Sequence, residues 1–544
     1  MPIAPSPDPS ARHVAPSQVA AVIFLSGLAA AVVAIAGAVT AAPPPDALIP
    51  APASVRPIEG DGFSLARDVV IVAAEPLAGI ASQLASALRE ATGAEPRILS
   101  AAPAGQPQIR LQLQTSASTR VPGAYRLTVD AHQVVAEAGT PEGLFHAAQT
   151  LRQLLWPTAH AARPVITPVE IIDAPGCRWR GLLVDVAAHF QRPAMLEHII
   201  DQLAYYKMNV LHLHLTDYGG WRFEVPSLPR LAAVGGRGDL EHPGVGEPRY
   251  YTEEEVRHLV AYAAQRFITI VPEIEMPGHA GAAARAYPKF FTSDGTFNPA
   301  ASGVYDFITS IVAEVSRQFP GQTIHFGGDE VSTGTWSELP DVRRFMDEHG
   351  LRSHADLQRY FYEQVARIIR AAGRQPMAWD ETAEAGIGPE VTIQWWRKAR
   401  PDVRDAALAR GAELVLSPVD QVYLDYAAGP GEPGSPWEGN DNGPTSVEKI
   451  LRWEPLNGIP SSARPEQIAG VEAALWTQFI RTDRFLEFML YPRLLAVAEV
   501  AWRPAATRDP PEFQRRLVPH IERLRAAQIN VRTNSNDATP YLIH

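Results

Sequence analysis

The stretch TIHFGGDE, residues 323–330, ends in two adjacent carboxylates, Asp329 and Glu330, behind a pair of glycines. Two carboxylates in a cleft can cleave a glycosidic bond, one protonating the leaving oxygen while the other attacks or activates water. That scheme needs the pair facing each other across the substrate, roughly 5–9 Å apart. Neighbours in a strand point to opposite faces instead. An acid working near neutral pH also needs a raised pKa, from burial or from a neighbouring negative charge. Asp329 could supply that charge to Glu330, with His279 and Asp217 setting the proton balance by hydrogen bonding. The paired glycines before them disfavour a merely solvated loop, because they let backbone turn sharply or approach closely.

Two other chemistries compete. In HLHLTD, His212 and His214 are two apart on one strand and share a face, as a barrel metal site would need; the same pattern suits interior histidines hydrogen-bonded to carboxylates. Trp379, Trp395, Trp396 and Trp476, with Tyr423 nearby, offer aromatic faces on which a sugar ring could stack. A non-catalytic sugar-binding protein would use them equally well. Alternation turns Trp395 and Trp396 opposite ways, so one of the two can line a site.

These residues sit at the ends of repeated elements. Eight β-type runs recur with amphipathic helices between most of them: RGLLVDVA, NVLHLHLTD, FITIVPEIE, TIHFGGDE, QPMAWDE, VTIQWW, AELVLSP and GVEAALW. The helical stretch TEEEVRHLVAYAAQR opens with a capping box, Thr252 to Glu255. Strand–helix alternation implies parallel βαβ units, and eight of them predict a (β/α)8 TIM barrel, an α/β fold, over residues 176–510. Active sites of such barrels lie at the C-terminal strand ends, where Asp217, Glu275, Glu330, Glu381, Trp396 and Trp476 fall. A Gly/Pro-rich insertion, residues 427–446, follows the seventh strand on that face and is expected to shape the entrance. Before the barrel, shorter β-type runs and two helical stretches predict a small α/β accessory domain over 58–170, with no convergent polar cluster. A closing helix and tail follow over 511–544.

The chain has 544 residues, 46% hydrophobic and 20% charged, which fits a globular protein of more than one domain. A formal net charge of −12 argues against a nucleic-acid partner. The single cysteine, Cys177, excludes an internal disulfide and a cysteine zinc cluster. No charge interrupts residues 19–42, and Ala38 and Ala42 offer small-residue cleavage sites. Residues 1–42 are therefore expected to be a signal peptide or an uncleaved membrane anchor. Either places the rest outside the cytoplasm, periplasmic or secreted, behind an extended Pro/Ala-rich linker over 43–57.

HFGGDEV together with VPEIEMPGHA, NVLHLHLTD, MAWDE and YPRLLAVAEVAW resembles the family-20 glycoside hydrolases, the β-N-acetylhexosaminidases, over roughly residues 55–510. The resemblance implies cleavage of β-linked N-acetylhexosamine glycans with retention, no cofactor and no metal. It also resolves the adjacent carboxylates, because this family works by substrate assistance. The substrate's 2-acetamido oxygen attacks the anomeric carbon, so no opposed nucleophile is needed. Glu330 would then be the acid and later the base, and Asp329 would hold the acetamido N–H and offset its developing positive charge. Tyr423 would hydrogen-bond the acetamido oxygen beside Asp425. Trp379, Trp396 and Trp476 would wrap the acetamido group and floor the sugar site, and Asp217 and His279 would form a relay to the acid.

The chain departs from that pattern at the clamp on the sugar hydroxyls. The family's Asp-x-x-Arg-His after the first strand reads DVAAH, with Ala188 in place of the arginine that grips the 3- and 4-hydroxyls. Gln478 stands where a glutamate would grip the 4- and 6-hydroxyls, and Tyr218-Gly219 replaces Asp-Gln. The expectation is altered recognition on the hydroxyl side, or replacement by residues such as Tyr218 or the loop after Tyr426.

Overall fold

In the computed structural model the described residues are 47–65, 68–114, 120–155, 164–436 and 443–532. The segment 1–42 read as a signal or anchor lies outside them. Among the described residues no helix is long and apolar enough to cross a membrane.

The first domain is a seven-stranded mixed sheet. Its elements are β1 (Ser54–Pro57), β2 (Phe63–Ser64), β3 (Val70–Val72), α1 (Ala78–Thr92), β4 (Arg97–Leu99), β5 (Gln108–Leu113), β6 (Tyr125–Val129), β7 (Gln133–Ala138), α2 (Pro141–Leu155), β8 (Val165–Ile166) and β9 (Val169–Asp173). The sheet order is β1-β9-β6-β7-β5-β3-β4, while β2 pairs with β8 alone. β5 and β6 alternate buried and half-exposed residues, the mark of a sheet with one covered face. α1 and α2 supply the cover, burying Ile80, Leu84 and Leu88 and, from α2, Leu144, Leu151 and Leu155.

The described part of the segment read as a linker belongs to this domain. β1 runs antiparallel to β9 from Ser54↔Ile172 to Pro57↔Val169. Proline is tolerated there because β1 is an edge strand. Ile49 is fully buried, and its N–H donates to Gln153 Oε1 of α2. Extended, proline-rich composition alone does not separate a solvated linker from an edge strand.

The second domain is a closed parallel barrel of eight strands: β10 (Trp179–Asp185), β11 (Val210–His214), β12 (Thr269–Glu273), β13 (Thr323–His325), β14 (Gln375–Trp379), β15 (Thr392–Trp395), β16 (Leu414–Leu416) and β17 (Ile468–Leu475). β10 closes it against β17, from Trp179↔Gly470 to Val184↔Leu475. Outer helices include α3 (Pro193–Tyr205), α4 (Glu253–Ala264) and, at the mouth, the short α5 (Gly281–Ala286). Thr252 and Glu255 form the expected reciprocal cap at the start of α4.

The barrel interior carries a polar thread through its apolar layers. Glu472, fully buried, accepts from Trp179 Nε1 at 2.7 Å and Gln394 Nε2 at 2.9 Å, and pairs with His212 Nδ1 at 2.8 Å. His214 Nδ1 lies 2.6 Å from Glu273 Oε2 and its Nε2 3.4 Å from Asp217 Oδ2, so both its ring nitrogens are engaged. Both histidines of HLHLTD thus lie in the barrel interior, hydrogen-bonded to carboxylates.

Candidate active site

The DE turn is built by its glycines. β13 keeps pairing past its last residue, with Trp379 N–H donating to Gly327 O at 2.9 Å, and Tyr362 O–H then pins Gly328 O at 2.6 Å. Gly327 has φ +69°, and a Cβ there would lie 1.8 Å from the buried Glu275 carboxylate. Only glycine suits both the backbone and the space. Glu330 (φ +48°) and His279 (φ +48°) are also left-handed, which is uncommon for non-glycine residues and concentrates at functional sites.

All ten residues singled out as site candidates, Glu330, Asp329, Tyr423, Trp379, Trp396, Trp476, Asp425, Asp217, His279 and Gln478, line one cavity of about 460 Å³ at the C-terminal strand ends. His214, Val419 and Tyr426 complete the lining. A shallower depression of about 800 Å³ lies behind Val419, lined by Trp395, Lys398, Arg452 and Glu454 among others. Its charges are partly spent on one another, as in Arg452–Glu448 at 2.8 Å, and Arg404 covers the Trp395 ring at 5.0 Å. Trp396 enters the first cavity and Trp395 the second, as alternation requires.

Proton-bearing groups run in a chain from the barrel interior to the mouth. Glu273, fully buried, holds His214 and also accepts from Trp379 Nε1 at 2.8 Å, with His325 Nδ1 2.7 Å away. Asp217 then links His214 to His279, whose Nδ1 lies 3.2 Å from Asp217 Oδ1. His279 Nε2 is 3.6 Å from both Asp329 Oδ2 and Glu330 Oε2. Burial opposes charge on His279, but Asp217 and Asp329 outweigh it and hold its pKa well above the usual imidazole value. Burial likewise opposes charge on Asp217, and the two histidines pull it well below the carboxylate range.

The two carboxyls of the turn are tuned oppositely. Burial pushes Asp329 up to about 6, against the pull of His279 and with help from Glu273 and Glu330. Glu330 is lowered by the His279 ring 3.6 Å away, burial pulling the other way. A raised Glu330, expected from the neighbouring Asp329, is therefore not what the free site displays. Glu330 is also the more open of the two, its side chain 61% accessible against 14% for Asp329. Asp329 Oδ1 is buried and has no hydrogen-bond partner among the described residues, an arrangement that asks for an explanation.

The aromatic wall surrounds this carboxylate. Trp396 and Tyr423 stack at 6.4 Å with 18° between planes, and Trp476 meets both Trp379 (6.0 Å) and Tyr423 (6.3 Å). Trp396 Nε1 donates to Glu381 Oε2 at 3.1 Å. Burial, with Asp329 and Asp380 nearby, pushes the Glu381 carboxyl up to about 8. Burial also lifts the Tyr423 phenol well above its ordinary value, keeping it a hydrogen-bond donor at neutral pH.

Sequence reasoning passed over the residues that hold the candidates. Arg493, 1% exposed, donates to Leu424 O at 2.5 Å and Tyr426 O at 2.6 Å, and so fixes the segment carrying Tyr423 and Asp425. Asp185 Oδ2 accepts from Thr477 N and Oγ1, both at 3.0 Å, and sets the turn between Trp476 and Gln478. An arginine inside an apolar helical run and an aspartate ending a barrel strand were the available signals.

The departures behave differently from one another. Gln478 lines the cavity, whereas Ala188 is 2% exposed and does not. Leu240 N–H donates to Ala188 O at 3.1 Å, and a Cβ on Gly219 would fall 3.0 Å from Ala188 Cα. Gly219 and Leu240 thus pack against position 188, which is buried outside the cavity lining. Tyr218 lies outside the lining as well.

The comparisons with known proteins agree with this geometry. The family model "Glycosyl hydrolase family 20, catalytic domain" matches residues 177–505, and that family's domain 2 matches 46–174. A beta-hexosaminidase from Porphyromonas gingivalis is 33% identical over 83% of this chain, which spans 60% of that relative's length. A beta-N-acetylhexosaminidase from Cellulomonas fimi is 34% identical over 88% of this chain and 94% of its own. Among solved structures, a GH20 exo beta-N-acetylglucosaminidase from Vibrio harveyi, in complex with N-acetylglucosamine, superposes with a TM-score of 0.82 at 29% identity, covering 90% of this chain and 78% of that one. The chain belongs to glycosyl hydrolase family 20.

Proposed function

We propose that the protein is a retaining β-N-acetylhexosaminidase acting on β-linked N-acetylhexosamine glycans by substrate assistance. The observation that carries this reading is the buried, unpartnered Asp329 oxygen inside a cavity walled by Trp379, Trp396, Tyr423 and Trp476. It is an acceptor suited to an acetamido N–H, and the tyrosine is a donor suited to the acetamido oxygen. In the first step the acetamido oxygen bonds to the anomeric carbon as the glycosidic C–O bond breaks, and Glu330 gives its proton to the leaving oxygen. Positive charge then spreads over the ring-closed acetamido group, where the Asp329 carboxylate offsets it. In the second step water attacks the same carbon, Glu330 takes the water proton, and the acetamido group reopens. Two inversions give net retention.

We further propose that recognition of the sugar's 3-, 4- and 6-hydroxyls is atypical. Ala188, apolar and outside the lining, and the neutral Gln478 within it support this, because losing a charge-assisted hydrogen bond costs about 1.5–3 kcal/mol each. The uncharged segment 19–42 supports export, with the catalytic barrel outside the cytoplasm.

The test is a chromogenic β-N-acetylhexosaminide panel, unmodified and substituted at the 3- or 4-hydroxyl, assayed with wild type and Glu330→Gln. The expected result is turnover by wild type that falls about 100-fold or more in the variant, with a substituted sugar preferred. Turnover by neither protein on any sugar of the panel would refute the enzyme reading. Efficient cleavage of the unmodified sugar alone would refute the altered clamp.

A further inference from the structure

Tyr218 follows Asp217 at the barrel mouth and is 42% exposed, whereas Tyr423 inside the cavity is 6% exposed. An exposed apolar residue by itself says little; the placement of this one is what matters. Its ring meets His279 edge-on, with centroids 5.9 Å apart and 67° between planes. His279 is the residue that touches Glu330, so the exposed ring stands beside the acid and outside the sugar cavity.

The ring is also held. Tyr218 N–H donates to Asp217 Oδ1, and Tyr218 O accepts from Arg285 Nη1 at 2.9 Å. Under the ring, at the start of α5, a Cβ on Gly281 would fall 2.4 Å from Tyr218 Cδ1. The ring therefore lies where any other residue at 281 would push it away.

Glu330 delivers its proton to the glycosidic oxygen, so surface beside Glu330 and beyond the cavity faces the leaving group. We propose that Tyr218 is a specificity-determining residue, a stacking platform for the first sugar of the leaving group, and that the preferred leaving group is a glycan rather than a small alcohol. This rests on the hexosaminidase reading above. The π-face of an aromatic ring is its negative side and suits the C–H edges of a pyranose. Such a contact forms on binding and persists through the reaction, so it acts on KM more than on kcat.

The experiment compares wild type, Tyr218→Ala and Tyr218→Phe on two substrates with one transferred sugar: a β-linked disaccharide of N-acetylglucosamine and the β-glycosyl fluoride of N-acetylglucosamine. The fluoride has a single atom as leaving group and cannot use a platform. Tyr218→Ala is expected to raise KM for the disaccharide about tenfold, with kcat and the shape of the pH profile kept. Its kcat/KM for the fluoride is expected to stay within about twofold. Tyr218→Phe, which keeps the ring, is expected to behave as wild type. An unchanged disaccharide KM, equal losses on both substrates, or a shifted pH profile in Tyr218→Ala would overturn the platform while leaving the hexosaminidase reading standing. Wild type inert toward both substrates and toward the substituted sugars of the panel would overturn that reading and the platform with it.

Discussion

Asp329 and Glu330 differ in both exposure and tuning. In the free site Asp329, raised to about 6, is the better proton holder, while Glu330 is lowered by His279. The proposed mechanism needs the reverse, Asp329 ionised and Glu330 protonated. A sugar seated over the half-open Glu330 takes it out of water, and burying a carboxyl raises its pKa. The sign follows: the acid keeps its proton to higher pH in the complex than in the free enzyme. The profile of kcat/KM reports the free enzyme and that of kcat the complex. The alkaline limb of kcat is therefore expected at higher pH than that of kcat/KM, measured on a chromogenic substrate, and coincident limbs would count against this account. Asp329 and Glu330 were recognisable from their motif, but their opposite tuning was not. Adjacency predicts that each carboxyl raises the other; that one histidine stands 3.6 Å from both, and that burial dominates at Asp329, depends on where the turn and the ring come to rest.

At the scale of elements, the Asp329–Glu330 turn depends on two strands agreeing about space. Gly327 and Glu275 come from different strand ends, and the buried carboxyl occupies the volume a side chain at 327 would need. Gly327→Ala is expected to cost roughly 1–3 kcal/mol from the left-handed backbone alone and to displace the DE turn. Activity should fall by more than stability would account for, as seen by comparing kcat/KM with the denaturation midpoint at one temperature. A variant as active as wild type would sink this view of the turn. The seventh strand's loop is a second case. Its aromatic and acidic residues could be named from the chain, but their convergence rests on Arg493, 67 residues from Tyr426 and 69 from Leu424. A buried arginine in an apolar run reads locally as an anomaly; its purpose shows only once the carbonyls it satisfies are in place.

Over the whole molecule, the two domains are joined by a buried polar cluster. Asp173, ending β9, accepts from Tyr125 O–H at 2.7 Å and Lys207 Nζ at 3.1 Å through Oδ2, and from Trp502 Nε1 at 2.9 Å through Oδ1. Lys207 and Asp173 are both about 1% exposed. Removing one member of such a pair strands the other charge at a cost of about 3–5 kcal/mol, while replacing both by apolar groups recovers much of it. Lys207→Met is therefore expected to lower unfolding free energy by that amount, and Lys207→Met with Asp173→Leu to lower it less, by urea denaturation. A double variant weaker than the single would argue against a stranded charge. The cluster was not legible in the chain, since Tyr125, Asp173, Lys207 and Trp502 each stand singly in separate, largely apolar runs.

Alternation of strands and helices, and of inward and outward residues within each strand, is written locally, so the barrel, its catalytic face and the facing of Trp395 and Trp396 could be read from the chain. The motif order then named the residues of the cavity. Contacts between residues far apart in sequence could not be read this way, because they depend on the register at which the barrel closes. Glu273 meets Trp379 across 106 residues and Glu472 meets His212 across 260. Closure decided which carboxylates share a histidine, which arginine holds the tyrosine loop, and that Ala188 is buried outside the cavity lining while Tyr218 stays open beside His279.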